Sequence, residues 1–152
     1  MAFLTIGDKE YEAKVTFKFD RVANEKYASN EDEMNGFMSI YLGLLQYDNS
    51  SILNFWDCAL AHLKKDKPSK EAIEEALEER IEQDGDTDAL FREAFQALDW
   101  SGFYKKQVTS IWHEFMKPTE AAKDETDEQK QKREEHEEMA KMMRERRAEL
   151  TA

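Results

Sequence analysis

The sequence is poor in cysteine, proline and glycine: one, two and five of them, respectively, occur in 152 residues. A single thiol, Cys58, excludes an internal disulfide framework and a zinc site built from several thiolates. The scarcity of glycine and proline predicts few loops and mostly regular structure, chiefly helix.

Long apolar runs are also lacking. The longest largely apolar stretch, Gly36 to Leu45, is too short to span a bilayer. The first seven residues have no basic segment and are followed by Asp8 and Glu10, so the pattern does not predict a secretory signal. We expect a soluble, intracellular protein.

Basic residues are outnumbered, 22 against 34 acidic ones, which gives a net charge of −12. This sign argues against binding to a nucleic-acid backbone, whose phosphates are neutralised by Lys and Arg. It argues equally against docking on an anionic membrane surface. A hydrophobic fraction of 40% and an aromatic fraction of 11% exclude global disorder.

The hydrophobic pattern predicts a mostly α fold with an N-terminal β-hairpin, of the α+β class. Apolar and polar residues alternate around Gly7-Asp8 up to about Phe17, which is typical of a hairpin with one buried face. A short helix is predicted from Asp20 to Tyr27, and Ser29 or Asn30 is the expected N-cap of the next helix.

From Phe37 onwards the period is helical. Residues 37–45 are apolar almost all round, which predicts the most buried helix. Further helical stripes follow at 52–63, 72–81, 90–98 and 100–116. Predicted caps lie at Asp48, Ser69, Gly85 and Asp86.

A change of composition at Pro118 divides the chain into a helical core domain, residues 1–117, and a charged arm, residues 118–152. Residues 119–152 contain no Phe, Trp, Tyr, Ile or Val, and their 11 acids and 8 bases give −3, leaving −9 on the rest. The arm is expected to be a solvent-exposed helix or disordered, with core stripes ending at Met116. Thr126-x-x-Gln129 predicts a capping box.

Binding residues are predicted where adaptable or aromatic side chains interrupt polar surroundings. Met139, Met142 and Met143 form the one apolar patch of the arm, and methionine suits surfaces that repack around a partner. Trp112, on the last core stripe, is the aromatic candidate. The alternative interpretation is a solvated tail in which these methionines have no binding role.

Residue types for catalysis do not form recognisable motifs. His62, His113 and His136 are far apart, and Cys58 follows an aspartate inside a helix, where nothing lowers its pKa. The run 84–88 resembles the start of a calcium loop, but Ala89 and Phe95 replace its required glycine and glutamate. We therefore expect no enzyme activity, no cofactor and no metal.

The order of these parts resembles the tail assembly chaperones of long-tailed phages and prophages of Gram-positive bacteria. The resemblance covers roughly residues 3–117 and depends on the following segments: the hairpin Ile6-Gly7-Asp8-Lys9-Glu10-Tyr11, the link Phe17-Lys18-Phe19, the helix Gly36 to Gln46, the turn Asp48-Asn49-Ser50-Ser51, the stripe Ile52 to Leu63 and the acidic helix from Ser69 to Leu77.

The resemblance implies a non-enzymatic helper in tail morphogenesis. Such a protein would work in the bacterial host cytoplasm, bind the tape-measure protein, recruit tail-tube protein and be absent from the mature virion. Self-association is compatible with this role. The family often makes a short and a frameshift-extended form, and residues 119–152 fit the end of either.

A different interpretation starts from the charge alone. An acidic inhibitor that mimics nucleic acid, or masks a basic partner, would also carry a charge of −12. It predicts one continuous strip of carboxylates and binding that weakens as salt rises. Lysine and arginine interrupt the acids along this sequence, which counts against it.

Overall fold

The computed structural model describes residues 2–117 and 121–152. The predicted boundary residue Pro118 lies outside these ranges. The described residues form two strands, β1 (Phe3–Ile6) and β2 (Lys9–Glu12), a 3₁₀ helix (Ala61–Asp66) and the α-helices α1 (Phe17–Lys26), α2 (Gly36–Leu45), α3 (Asn49–Ala59), α4 (Lys70–Asp84), α5 (Asp88–Asp99), α6 (Lys105–Met116) and α7 (Asp127–Leu150). The predicted fold class, mostly helical with an N-terminal hairpin, is confirmed.

The hairpin pairs its two strands antiparallel, from Phe3 opposite Glu12 to Ile6 opposite Lys9. Gly7 turns the chain at φ +64°, which a residue without Cβ adopts at little cost. Pairing ends earlier than the alternation predicts, because the Lys14 amide donates to the Ala59 carbonyl at the end of α3 (3.0 Å). The hairpin is thereby tied to the helical body.

Helix α2 is the centre of the core, as predicted, with seven of its ten residues buried. Its N-cap, however, is Asn35, whose side chain accepts from the Met38 amide. The prediction of Ser29 or Asn30 was wrong because Ser29 pairs with Met34 through backbone hydrogen bonds, 2.9 Å each way. The acids between them form an exposed turn instead of a first helical turn.

The other predicted helix ends are mostly confirmed. Ser69 caps α4 by accepting from Ala72, Asp48 caps α3, and Gly85 ends α4 at φ 84°. Thr87, not Asp86, is the N-cap of α5, although the Asp86 side chain still accepts from the Asp88 amide. Helix α6 begins at Lys105, five residues after the predicted stripe starts, because the chain is not helical at Ser101 and Gly102.

The core is aromatic and continues into α7. Phe37 stacks on Tyr104 at 4.0 Å between ring centroids, and Tyr41 lies 4.9 Å from Phe95. Helix α7 has the predicted capping box at Thr126. Its buried residues are Ala140, Met143 and Leu150, and the last two join the main hydrophobic cluster. The expectation that core contacts end at Met116 was therefore wrong: the arm is helical, and its second half packs on the body.

Candidate partner-binding site

A groove open to solvent runs between α6 and α7, and we call it the α6–α7 groove. It consists of two adjoining hollows of about 400 and 360 Å³, which share Met116 and Arg144 as lining residues. The first hollow also reaches the end of α5. The groove therefore lies where the C-terminal ends of α5 and α6 meet the second half of α7.

Two large apolar side chains lie exposed in this groove. Trp100 is 64% exposed because it follows the last turn of α5 and precedes the break at Ser101-Gly102. Met116, the last residue of α6, is 67% exposed. Exposed tryptophan and methionine in a concave site are typical of surfaces that bind apolar side chains of a partner.

The inner wall of the groove is held by a buried polar cluster. The Trp112 indole donates to the Tyr41 hydroxyl at 2.6 Å, and that hydroxyl donates to Asp99 Oδ1 at 2.5 Å. Burial and the bond to Asp99 raise the pKa of Tyr41, so its phenol remains a donor. These bonds fix the orientation of Trp112 at the base of the groove.

Helix α7 closes the cluster from the other side. The Arg147 guanidinium lies 3.2 Å from Asp99 Oδ1 and stacks over the Trp112 ring at 4.7 Å. Arg144 donates to the Phe115 carbonyl at 2.9 Å, which joins α7 to the end of α6. The two walls of the groove are thus connected by hydrogen bonds and ion pairs.

The last turns of α7 also contact α2 and α5. Gln96 donates to the Leu150 carbonyl at 2.8 Å, and Arg146 donates to the Leu45 carbonyl at 3.0 Å. The Tyr47 hydroxyl donates to Glu149 at 2.7 Å. Polar contacts to helix ends, with few apolar ones, therefore position this half of α7.

The residues predicted to bind partners from the sequence lie in different environments. Trp112 lines the groove but is only 4% exposed, and Met143 is 3% exposed in the core. Met142 is half-buried, and Met139 is 47% exposed. None of the three methionines lines the groove. In this conformation a partner reaches Met139 but not Met143.

Sequence reasoning missed Trp100 and Met116 as surface residues, because both fit the apolar stripe of the last core helix. The available signal was the position of each at a helix end. Trp100 stands directly before Ser101-Gly102, and Met116 directly before the Lys117-Pro118 pair. Side chains at such ends have fewer neighbours to cover them.

Two of the groups that could react, Cys58 and His62, are partly or fully enclosed by the fold. Cys58 is fully buried, and burial raises the pKa of its thiol to about 12. His62 Nε2 lies 3.0 Å from the Glu12 carbonyl. Among residues 2–117 and 121–152, no group of His, Cys, Asp and Glu is arranged to hold a metal ion, and no helix is long and apolar enough to cross a membrane.

Comparison with known proteins gives a family match. The model of a family described as phage tail assembly chaperone protein, TAC, matches residues 3–113. The match runs from β1 into α6 and leaves Met116 and all of α7 outside. No curated protein and no solved structure matches the chain.

Proposed function

The chain belongs to the phage tail assembly chaperone family, and we propose that it is a non-enzymatic chaperone that binds the tape-measure protein during tail morphogenesis and recruits tail-tube subunits to it. It would do so in the cytoplasm of the bacterial host and would be absent from the virion. The observation that carries this proposal is the family match across the hairpin and most of the helical body. The α6–α7 groove supports the proposal because it offers a concave surface to which a client can bind.

The α6–α7 groove suits an apolar helical segment of the client. Trp100 and Met116 supply exposed apolar area, and adaptable methionine suits contacts with the apolar side chains of a helical client. Lys117, Lys141 and Arg144 line the same surface and would favour acidic residues beside the apolar ones. A helix laid into this groove would anchor through a few apolar side chains.

The acidic surface suits the same role. A net charge of −12 keeps a complex with an apolar client from associating with other such complexes. The acidic-inhibitor alternative explains this charge too, but the family match gives it no support. Binding to the tape-measure protein that persists at high salt would argue further against it.

Co-purification with the tape-measure protein of the same phage tests the groove directly. The double variant Trp100→Ala/Met116→Ala should fold normally, since both side chains are exposed, and should bind the client at least about tenfold more weakly. Met139→Ala is the matched control, because Met139 is exposed but lies outside the groove.

Two results would contradict this assignment. If the double variant binds as well as the wild type, the groove is not the client site. If Met139→Ala alone removes binding, the client site is the methionine patch at Met139, Met142 and Met143 predicted from the sequence. Unchanged thermal unfolding of each variant shows that the loss concerns binding rather than folding.

A further inference from the structure

The two halves of α7 lie in different environments. From Asp127 to Met139 every residue except Arg133 is exposed, whereas Ala140, Met143 and Leu150 in the second half are buried. These three side chains follow one another at spacings of three and seven residues, so they share one face of the helix. This is the pattern of a helix that binds a groove through a single apolar stripe.

The body holds the C-terminal end of α7 with polar side chains. Gln96 donates to the Leu150 carbonyl at 2.8 Å, and the Arg92 guanidinium donates to the Glu149 carbonyl. A cation beside the last carbonyls of a helix is favourable because it opposes the negative end of the helix dipole. Both acceptors are backbone groups, which any helix end offers.

One side-chain contact adds selectivity. Arg147 lies 3.2 Å from Asp99 Oδ1 and over the Trp112 ring at 4.7 Å, and Asp99 is buried. A guanidinium satisfies both groups, because it supplies the counter-charge and a flat face for the indole. The surface therefore suits a helix with an apolar residue, an arginine four positions later and an apolar residue three further on, like Met143, Arg147 and Leu150.

The body residues that receive α7 form one surface, which we call the helix seat: Leu45, Arg92, Gln96, Asp99 and Trp112. They come from α2, α5 and α6. All of them lie within residues 3–113, which match the family, whereas α7 lies outside that range. The seat is thus part of the body that this chain shares with its family, and the match does not extend to the occupant of the seat.

Two properties of α7 allow another helix to replace it. Much of its attachment is polar, and water satisfies those groups when the helix leaves. The helix itself depends on local contacts, namely the capping box at Thr126 and the ion pairs of Glu128 with Lys132 and of Glu137 with Arg133. Its 24 residues therefore retain helical structure without the body. Displacement costs the contacts of the seat and not the fold of the helix.

Displacement of α7 would also expose the side chains that the sequence predicts to bind partners. Trp112 is 4% exposed beneath Arg147, and Met143 is 3% exposed. Met139 and Met142 lie next to Met143 on the same helix, so a released α7 presents all three methionines. One opening step thus uncovers every residue of that prediction.

We propose that the second half of α7 is a displaceable cover, and that an amphipathic helix of the client takes its place on the helix seat. The incoming helix inserts an arginine between Asp99 and Trp112, and its last carbonyls meet the donors that now hold α7. Trp100 and Met116, which line the adjoining hollow, contact the flank of that helix. That the helix belongs to the tape-measure protein rests on the proposed function.

Competition with a fluorescent peptide of residues 127–152 tests the displacement without any client. Fluorescence anisotropy measures its binding to the full chain, whose own α7 competes for the seat. Arg147→Ala in the chain weakens that competitor, so the peptide should bind this variant at least about tenfold more tightly than the wild type. A peptide that itself carries Arg147→Ala should lose this gain, because nothing then pairs with Asp99.

Two further variants of the full chain keep the result specific. Arg146→Ala removes the hydrogen bond to the Leu45 carbonyl and leaves Asp99 paired, so it should also raise the affinity for the peptide. Lys130→Ala, on the exposed first half of α7, is the control and should bind the peptide like the wild type. Equal affinity of the peptide for the wild type and for Arg147→Ala, with both chains folded by thermal unfolding, overturns the proposal.

The tape-measure protein gives the second readout. Arg147→Ala should bind it more tightly than the wild type, because the cover is loosened. Weaker binding by Arg147→Ala would mean that Arg147 contacts the client directly, which overturns displacement. If the peptide behaves as expected and the tape-measure protein does not bind at all, the cover is supported and the proposed function is contradicted.

Discussion

Two buried carboxylates, Asp57 on α3 and Asp99 on α5, connect separate parts of the fold. Asp57 is the more enclosed of the two. It is fully buried and accepts hydrogen bonds from the Tyr27 hydroxyl at 2.6 Å, from Lys26 at 3.2 Å and from Lys67. Burial alone raises the pKa of Asp57, but these three donors outweigh it and hold the pKa below its ordinary value of 3.8. The carboxylate thus joins α1, α3 and the segment before α4.

Asp57→Asn should lower the free energy of unfolding by about 3 kcal/mol, because it removes the charge from a buried cluster with two lysines. The pKa of Asp57 is lower in the folded chain, so its contribution is complete near neutral pH and declines as pH falls below about 4. Urea unfolding at several pH values measures both effects. The exposed Asp88→Asn, whose partner is Arg92, is the control and should change stability by less than about 1 kcal/mol.

If the free energy of unfolding of Asp57→Asn stays below that of the wild type by the same amount down to pH 2, the assignment of a low pKa to Asp57 is contradicted. The sequence did not reveal the cluster, although it placed Asp57 inside a helix. Its partners are 10, 30 and 31 residues away, and side-chain pairs of such separation leave no periodic signal. Trp112 was recognisable as a core aromatic, but its bond to Tyr41 was not.

At the scale of elements, the contact between α1 and α2 depends on one glycine. A Cβ at Gly36 would lie 2.1 Å from the backbone carbonyl of Ala23, and the Gly36 amide donates to the Asn24 side chain at 2.9 Å. The two helices therefore approach as closely as their backbones allow. This places α2 against Phe19 and Ala23, both fully buried.

Gly36→Ala should destabilise the protein by about 3 kcal/mol, since the neighbour is backbone and cannot rotate away. Chemical denaturation with both variants gives the comparison, and Gly102→Ala is the control because nothing lies within 4 Å of its added Cβ. The control should stay within about 0.5 kcal/mol of the wild type. Equal stability of the two variants would show that α1 and α2 are not in such close contact.

Elements were predictable where a local signal determines them. Ser69, Asp48, Gly85 and Thr126 mark helix ends because each cap satisfies backbone groups within its own turn. The start of α2 was missed because pairing of Ser29 with Met34 competes with capping there. The packing of α7 on the body was not predicted, because it depends on Arg147 and on backbone carbonyl groups that are far away in the sequence. Helix α7 itself buries few apolar side chains.

At the scale of the molecule, the charge of −12 is unevenly distributed. Six exposed glutamates cover α4: Glu71, Glu74, Glu75, Glu78, Glu79 and Glu82. The α6–α7 groove, in contrast, is lined by lysines and arginines. Composition gives the sum of these charges, but only the fold shows how they are distributed over the surface.

The division into a core domain, 1–117, and an arm, 118–152, remains a prediction at this scale. The family match ends at residue 113, whereas Met143 and Leu150 pack into the body's core. The recognition of the family from the order of hairpin and helices was correct. This recognition did not depend on a local motif, so no individual binding residue could be assigned from the family.

We infer that binding by this chain keeps the tape-measure protein soluble. The most direct measurement is the fraction of that protein, from the same phage, that remains in the supernatant after expression with and without this chain. We expect most of it to be soluble and bound to the chain when both are present, and to be aggregated when the chain is omitted or replaced by Trp100→Ala/Met116→Ala. An unchanged soluble fraction, with no complex recovered, would contradict the account.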